Sequence, residues 1–222
     1  MMKITAVLAI TLCLSGFVVS AHGDTFEVGV NYDLLPIPVE TADPKKIEVV
    51  EVFSYGCPHC FEFEPSIEAW KAKQPPDVLF RRVPAVFRED WKILAQAYYA
   101  AEALGVVDKV NRSIFEAIHL KGLNPKDPNV LAAVFKESAG VDGEEFNKVL
   151  NSFGVRSKVL QADAIGRMYR LAGVPTLIVG GKYTVYGQNF VGGNVDRLTV
   201  VDYLVAKERA ARSPAKGAHA PD

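Results

Sequence analysis

The sequence contains little cysteine. Its 222 residues include three cysteines, Cys13, Cys57 and Cys60. Secreted scaffolds that depend on disulfides for their stability are small and dense in cysteine. The chain therefore does not belong to that class, and its cysteines need another explanation.

An excess of charge of either sign is also missing. The 25 basic and 26 acidic residues give a formal net charge of −1. Nucleic-acid binding calls for a basic patch or stripe, so no nucleic-acid partner is expected. Apolar residues make up 49% of the chain, which is typical of a globular protein with a hydrophobic core. The length fits one large domain or a domain with an insertion.

The N-terminal segment has the pattern of an export signal. Met1-Met2-Lys3 is followed by an almost wholly apolar run over residues 4–19, and then by Ser20 and Ala21. The run is shorter than the ~20 residues that comfortably span a bilayer, and small residues at its end are typical of a cleavage site. We therefore expect residues 1–21 to be a cleaved signal peptide. Its removal takes Cys13 and leaves one closely spaced pair, which favours a reactive thiol over a structural one.

That pair, Cys57 and Cys60, lies between a predicted strand and a predicted helix. Residues 47–53 are almost continuously apolar, as in a central strand covered on both faces. A helix N-terminus offers unpaired N–H groups and a positive dipole end, and both favour a thiolate. The thiolate is the reactive form of cysteine. We predict that Cys57 is the nucleophile and that Cys60, one turn further along, is its less exposed resolving partner.

The two residues between the cysteines fit this chemistry. Pro58 removes one backbone donor and stiffens the turn, and His59, if it is cationic or donates a hydrogen bond, would stabilise the Cys57 thiolate. Stabilising the reduced form makes the disulfide a stronger oxidant.

Other uses of a Cys-x-x-Cys pair fit less well, although a structural disulfide remains an alternative. Zinc normally takes four ligands, and no second cysteine pair accompanies the scattered histidines 22, 119 and 219. Covalent haem attachment needs a histidine directly after Cys60, where Phe61 stands. Redox catalysis without a metal or cofactor is the favoured interpretation.

The predicted elements follow the order βαβ, five helices, then ββα. A short edge strand near residues 32–35 precedes strands at 47–53 and 78–83, with a helix at about 57–73 between these two. Five helices follow: one that Asp90 is expected to cap, one around 110–118, one from the cap Asp127 and Pro128 to Gly140, one at 142–150 and one from Ser152 to Tyr169. A strand at 175–179, a Gly180-Gly181 turn, a strand at 182–186 and a final helix complete the chain. Five successive helices exceed the dozen or so residues that a βαβ crossover needs.

The fold class is therefore α/β, a thioredoxin-like fold with an inserted all-helical domain. We predict a discontinuous thioredoxin-like domain over residues 22–87 and 171–210, and the helical insertion over residues 88–170. Residues 211–222 are rich in Ala, Lys, Pro and Gly and are expected to be a disordered tail.

On these residues, the chain resembles the DsbA-type thiol:disulfide oxidoreductases of the bacterial periplasm. The resemblance spans about residues 32–206 and rests on residues 50–54, Cys57-Pro58-His59-Cys60, residues 103–106 and 108–110, Gly173-Val174-Pro175 and residues 181–183. It implies a periplasmic oxidant of exported proteins with reduced cysteines, reoxidised by a DsbB-like inner-membrane partner linked to quinone. We expect a monomer.

The resemblance also implies roles for Val174, Pro175 and Glu51. Pro175 is expected to follow a cis peptide bond beside the thiols, leaving the Val174 backbone free to pair with an extended substrate. Glu51, in the buried strand, is expected to be an acid near Cys60 that moves protons during exchange, with Arg82 as a candidate partner. The alternative is that Glu51 alternates to the other face of the strand and reaches solvent, since a buried unpaired charge is costly.

Gly56 departs from the family pattern, because some relatives carry an aromatic residue there. The surface beside the thiol is therefore expected to be less apolar. Trp91, Tyr98 and Tyr99 are interpreted as helical core residues, and Phe87 and Phe190 as candidates for the rim of a substrate groove.

The expected function is that of a dithiol oxidase acting through a mixed disulfide. One alternative is a reductase or isomerase, although isomerases of this kind usually carry a dimerisation domain and none is evident. Another is a redox-inactive peptide-binding chaperone on the same fold, which the intact pair of Cys57 and Cys60 disfavours.

Overall fold

Residues 26–186 and 194–212 are described by the computed structural model. Their five strands are β1 Asp33–Leu34, β2 Ile47–Phe53, β3 Val78–Pro84, β4 Thr176–Val179 and β5 Tyr183–Tyr186. Their seven helices are α1 Pro58–Lys71, α2 Glu89–Ala103, α3 Val107–His119, α4 Pro128–Ala139, α5 Gly143–Leu150, α6 Phe153–Met168 and α7 Asn194–Arg212. The element order and the α/β class predicted from the sequence are confirmed.

The strands form one mixed sheet in the order β1-β5-β4-β2-β3. The central strand β2 runs parallel to β3 and antiparallel to β4, and β1 pairs with β5 at the edge, as predicted for a short edge strand. Val52 on β2 is opposite Thr176 on β4. Since the two strands are antiparallel, the end of β2 lies beside the start of β4. This pairing brings the segment after β2 next to Pro175.

Each face of the sheet carries a hydrophobic core. Ile47 and Val49 of β2 pack in a core that includes residues of α1 and α7, whereas Val50 and Val52 pack in a core with residues of the helices α2–α6. Side chains alternate between the faces of a strand, so Glu51 lies on the same face as Val49. All seven residues of β2 are buried, as expected for a central strand.

Capping side chains begin three of the predicted helices. Asp127, Asp142 and Ser152 accept hydrogen bonds from the backbone N–H groups of Asn129, Glu144 and Val155. An oxygen at this position satisfies an N–H that has no partner within the helix. Gly140, with φ 71°, ends α4 in the left-handed region that favours glycine, as its predicted position at the helix end requires.

The prediction that Asp90 caps α2 is wrong. The helix begins at Glu89, and Arg88 occupies the capping position without a side-chain cap. The Asp90 carboxylate instead forms two hydrogen bonds with the Arg88 guanidinium, from Nε at 2.9 Å and from Nη2 at 2.6 Å. Asp90 still lies in the first turn, where its negative charge interacts favourably with the helix dipole.

Several predictions concern residues outside the described part of the chain. The expected signal peptide, Phe190 and residues 213–222 of the expected tail lie there. Residues 211 and 212 of that expected tail instead belong to α7, which extends to Arg212. The Nη1 atom of Arg212 lies 3.3 Å from the Pro44 carbonyl oxygen. Helices α2–α6 all fall within residues 88–170, and the division of the chain at these bounds remains a prediction. Within the described ranges, no helix is long and apolar enough to cross a membrane.

Candidate active site

Cys57 occupies the N-cap position of α1. Its backbone is extended, with φ −98° and ψ 117°, and Pro58 follows at the first position of the helix. Proline suits this position because its missing N–H would have no partner within the helix. The backbone N–H groups of His59 and Cys60 lower the pKa of Cys57 by hydrogen bonding to its sulfur. The helix terminus therefore provides the thiolate site predicted from the sequence.

The pKa of Cys57 falls to about 6, chiefly because the Cys60 thiol donates a hydrogen bond to its sulfur. Burial raises this pKa, but the backbone N–H groups of Cys60 and His59 and the charge of His59 lower it further. Both cysteines are free thiols in the structure, so these interactions describe the reduced protein. At neutral pH the Cys57 thiolate therefore exceeds the thiol.

Cys60 has the opposite character. It is fully buried, and burial raises its pKa well above the ordinary value, as do the hydrogen bond to Cys57 and the negative charges of Cys57 and Glu51. Cys60 consequently remains a thiol and a hydrogen-bond donor in the reduced protein. The two cysteines thus differ in the way expected of a nucleophile and a buried resolving partner.

His59 points toward solvent rather than over the thiol. Its side chain is 78% exposed, and its Nδ1 atom lies 3.2 Å from Oε2 of Glu62, one turn further along α1. The charge of His59 lowers the pKa of Cys57, but by less than the Cys60 thiol or the backbone N–H groups do. His59 therefore lies beside Cys57, but its charge has a smaller effect on the Cys57 pKa than the Cys60 thiol and the backbone N–H groups have.

The loop before β4 lies directly against Cys57. The Val174-Pro175 peptide bond is cis, as predicted. The Sγ atom of Cys57 lies 3.5 Å from the carbonyl oxygen of Val174, which accepts a hydrogen bond from the protonated form of the thiol. The Thr176 hydroxyl donates to the Gly173 carbonyl oxygen at 2.7 Å, which holds the loop from its other side.

Glu51 is buried, and the alternative in which it reaches solvent is wrong. Its side chain is 1% exposed, and its Oε2 atom accepts a hydrogen bond from Arg82 Nε at 2.7 Å, which confirms Arg82 as its partner. The pairing follows from the sheet register, since the two residues are opposite each other on β2 and β3. Arg82 also donates to Glu64 at 2.8 Å and to Glu68 at 2.7 Å. The buried Arg82 guanidinium therefore donates hydrogen bonds to three carboxylates.

Glu64 belongs to this network and was not predicted from the sequence. Burial and the negative charges of Glu51 and Glu68 raise its pKa to about 7, although Arg82 opposes the shift. The amide of Asn111 on α3 donates to its Oε1 atom. Through Arg82, the network therefore joins a carboxyl group with a pKa of about 7 to Glu51, whose charge raises the pKa of Cys60.

A periodic signal could have identified Glu64. It lies four residues after Cys60 and three before Ile67, both of which are buried positions of α1. Residues at these spacings share one face of a helix. The sequence could therefore predict an acidic residue on the buried face of α1, but not its partners Arg82 on β3 and Asn111 on α3.

Trp91 from α2 fills the space beside Gly56. A Cβ atom at position 56 would lie 2.9 Å from Trp91 Nε1, which is closer than such contacts occur. Trp91 is partly buried and packs against the hydrophobic core, whereas Tyr98 and Tyr99 are buried within it. Phe87 is 44% exposed, and its ring centroid lies 6.1 Å from that of Trp91. Phe87 and Trp91 therefore form an aromatic surface beside Gly56.

Comparison with known proteins agrees with this geometry. The model of the DSBA-like thioredoxin domain family matches residues 81–204. The chain is 45% identical over 186 residues to the thiol:disulfide interchange protein DsbA of Azotobacter vinelandii, covering 84% of this chain and 86% of that protein. It is 40% identical over 208 residues to the protein of the same name from Pseudomonas aeruginosa strain PAO1, covering 94% and 96%.

Solved structures show the same similarity. The crystal structure of Pseudomonas aeruginosa DsbA superimposes with a TM-score of 0.79 at 40% identity, covering 84% of this chain and 96% of that one. The oxidoreductase DsbA from Xylella fastidiosa superimposes with a TM-score of 0.77 at 39% identity, covering 83% and 98%. The similarity includes the segment that carries both cysteines.

Proposed function

The chain belongs to the DSBA-like thioredoxin domain family, and we propose that it donates its Cys57-Cys60 disulfide to exported proteins with reduced cysteines. Its thioredoxin-like fold agrees with the prediction from the sequence. It is a thiol:disulfide oxidoreductase, as its relatives are. The proposal concerns the direction of electron flow, the intermediate and the partners.

The unequal pair of thiols carries the proposal. The pKa of Cys57 is about 6, whereas the pKa of Cys60 lies well above its ordinary value. A stabilised thiolate lowers the free energy of the reduced protein relative to the disulfide, so the disulfide becomes a stronger oxidant. The same thiolate is a good leaving group when a substrate is released. Both properties favour donation of the enzyme's disulfide to substrates over reduction of substrate disulfides by the enzyme.

The reaction proceeds in two exchanges. In the first, a substrate thiolate attacks Cys57 Sγ, a mixed disulfide forms, and the electron pair of the broken bond moves to Cys60, which then takes a proton. In the second, another substrate thiolate attacks the substrate sulfur of the mixed disulfide, and Cys57 leaves as a thiolate. The substrate gains one disulfide, and the enzyme ends as a dithiol.

Glu51 supplies and removes the proton of Cys60 in this scheme. Its negative charge raises the pKa of Cys60, so the two groups lie within electrostatic reach of each other. Arg82 holds the Glu51 carboxylate through a hydrogen bond of 2.7 Å from its Nε atom. A buried carboxylate beside a reactive thiol is a common feature of catalytic sites.

Substrates bind through backbone contacts and a nonspecific apolar surface. The Val174-Pro175 segment lies against Cys57 and presents backbone to an extended peptide, which pairs with little dependence on its side chains. The aromatic surface of Phe87 and Trp91 adds apolar contact beside the sulfur. Such a site suits many different unfolded chains.

The setting follows from the expected signal peptide. The protein acts as a monomer in the periplasm, where it meets exported proteins before they fold. A DsbB-like inner-membrane oxidase linked to quinone reoxidises it. The names of the relatives support the exchange chemistry but say nothing of this partner.

Trapping the intermediate tests the proposal. The Cys60→Ala variant, expressed with its export signal, should accumulate mixed disulfides with exported proteins. Its Cys57 thiolate still attacks disulfides of these proteins and releases one of their thiolates, and no Cys60 thiolate is present to displace the bound substrate. The matched Cys57→Ala variant should accumulate far fewer, since Cys60 is fully buried. Complete absence of adducts in Cys60→Ala would refute the mechanism.

The redox state of the wild-type pair decides the direction of electron flow. Acid quenching of cells followed by alkylation of free thiols should show the pair oxidised at steady state. A pair that is found reduced would support the reductase alternative instead.

A further inference from the structure

Arg197, in the first turns of α7, is a buried cation without hydrogen bonds at two of its nitrogens. The residue is 6% exposed to solvent. Within the described residues, its Nε and Nη1 atoms are buried and have no hydrogen-bond partner. Burying a charged group without such partners costs considerable free energy, so a position of this kind calls for an explanation.

The guanidinium lies against the helix that carries the cysteines. Its Cζ atom is 4.7 Å from the centroid of the Phe63 ring. Phe63 is fully buried and follows Cys60 by three residues on α1, so the two share a face of the helix. Glu51 points to the same side of the sheet, the face on which α1 and α7 pack.

The electrostatics agree with this position. Burial lowers the pKa of Arg197, whereas the negative charges of Cys60 and Glu51 raise it. The interaction is mutual, so a positive charge at Arg197 favours a thiolate at Cys60 as much as that thiolate favours the cation. Cys60 itself is strongly disfavoured as a thiolate by burial and by the charges of Cys57 and Glu51.

Arg82 provides the contrast within the same protein. It is also buried, but its guanidinium donates to three carboxylates at 2.7–2.8 Å, which neutralise it. In Arg197, by contrast, the buried Nε and Nη1 atoms have no hydrogen-bond partner among the described residues. Its positive charge therefore remains available to a second anion that forms only during the reaction.

We propose that Arg197 is a positioning residue that stabilises Cys60 as a thiolate while the disulfide is being exchanged. When a substrate thiolate attacks Cys57, the S–S bond breaks and its electron pair moves to Cys60 before a proton arrives. The field of Arg197 lowers the energy of that charge. In reoxidation, the same field favours the Cys60 thiolate that must attack to close the disulfide. The inference rests on the proposed function for its biological direction, but the bond-breaking step is the same in either direction.

Charge-changing variants of Arg197 test the proposal. Arg197→Met keeps an unbranched side chain without charge, and Arg197→Lys keeps the charge. The measurement is the second-order rate constant with which glutathione reduces the oxidised full-length protein at pH 7. Alkylation of the newly formed thiols monitors the reaction. We expect a rate about tenfold lower for Arg197→Met and a rate within about twofold of wild type for Arg197→Lys, because exchange rates depend on the leaving thiolate.

The thermal stability of Arg197→Met distinguishes an electrostatic role of Arg197 from a role in packing. Replacing a buried unpaired charge by an apolar side chain often leaves stability unchanged or raises it. Arg197→Met should therefore react slowly while its oxidised form unfolds at the wild-type temperature or above. If Arg197→Met does not fold, Arg197→Gln takes its place, with the same expected loss of rate.

Phe63→Leu is the matched control, because it removes the aromatic ring and leaves the cation. It should be reduced within about twofold of the wild-type rate, since the charge acts on the leaving thiolate and the ring does not. Equal rates for wild type and Arg197→Met would overturn the proposal, as would a loss in Arg197→Lys or Phe63→Leu as large as that in Arg197→Met. The glutathione rate is defined whichever way the enzyme works in the cell, so this result is independent of the trapping experiment.

Discussion

The sulfur of Cys57 and the carbonyl oxygen of Val174 lie 3.5 Å apart, although 117 residues separate them in the chain. Antiparallel pairing of β2 with β4 produces this contact, because Val52 near the end of one strand is opposite Thr176 at the start of the other. The proposed nucleophile and the backbone proposed to receive a substrate peptide are therefore neighbours in the folded chain.

Two variants should rank the groups that lower the pKa of Cys57. Cys60→Ala removes the thiol that contributes most, whereas His59→Ala removes only a side-chain charge and keeps the backbone N–H. Both should raise the pKa from about 6 toward its ordinary value, and Cys60→Ala should raise it further. Thiolate absorbance near 240 nm, followed against pH in each reduced variant, measures the order.

The reverse order would mean that the exposed His59 dominates. In that case its ion pair with Glu62 at 3.2 Å would not limit its effect on the sulfur. Glu62→Gln provides the control, because it leaves both His59 and Cys60 in place. An unchanged pKa in His59→Ala would remove His59 from the mechanism.

The reduced protein should gain stability relative to the oxidised protein as pH rises. The pKa of Cys57 is about 6 in the folded state and about 9 without these contacts. A depressed folded-state pKa contributes stability above the unfolded value, which is lost as pH falls through the folded value. The difference in free energy of unfolding between reduced and oxidised forms should therefore increase steadily from pH 6 to pH 8.

Urea unfolding of both forms at several pH values measures this difference. The oxidised form is the internal control, since it has no titrating thiol at position 57. Because the pKa of Cys60 is raised well above its ordinary value, Cys60 stays protonated between pH 6 and pH 8 and does not contribute to the change in stability. A difference that stays flat between pH 6 and pH 8 would contradict the lowered pKa.

Glu64 should give the opposite dependence on pH. Its pKa is raised to about 7 from an ordinary value of 4.5, chiefly by burial. The carboxyl group thus favours folding when protonated, and this contribution is lost as pH rises through 7. The oxidised wild type should therefore lose stability relative to Glu64→Gln between pH 5 and pH 8, as measured by urea unfolding.

The exposed ion pair of Arg112 and Glu116 provides a matched control for Glu64. Glu116→Gln changes a carboxylate that is 39% exposed in its side chain, on a neighbouring helix. Exposed pairs contribute little to stability, so the wild type and this variant should keep a constant difference over the same pH range. If the difference between wild type and Glu64→Gln is equally constant, Glu64 does not titrate in this range.

Gly56→Ala should destabilise the protein through Trp91. The added Cβ atom would lie 2.9 Å from Trp91 Nε1 and 3.1 Å from Leu94 Cδ1, so side chains of α2 must move. Overpacking of this kind costs about 1–3 kcal/mol. Gly143→Ala is the control, because its Cβ atom would meet its nearest neighbour at 3.8 Å. Thermal or urea unfolding measures both variants.

A double-mutant cycle tests the cause of that loss. In a Trp91→Ala background, Gly56→Ala should cost less than it does alone, since the clashing ring is gone. An equal cost in both backgrounds would place the strain in the backbone before Cys57 rather than against α2.

The reactive pair was predictable from local sequence alone. Strand periodicity in residues 47–53, the Pro58 position and the Cys-x-x-Cys spacing all act over a few residues, so they determine where the helix starts and which thiol it activates. The capping residues Asp127, Asp142 and Ser152 were readable for the same reason. The Asp90 cap was not, because its neighbour Arg88 competes for the same carboxylate.

The surroundings of the pair depend on contacts between distant segments, and only the tertiary structure decided them. Sheet register places Arg82 opposite Glu51, and a helix crossing places Trp91 in the space left by Gly56. The packing of α7 on α1 sets Arg197 over Phe63. The sequence by itself thus determined which thiol lies at the helix N-terminus and is the proposed nucleophile. Only the tertiary structure decided which buried charges act on Cys60, because electrostatic effects depend on distance and burial rather than on order along the chain.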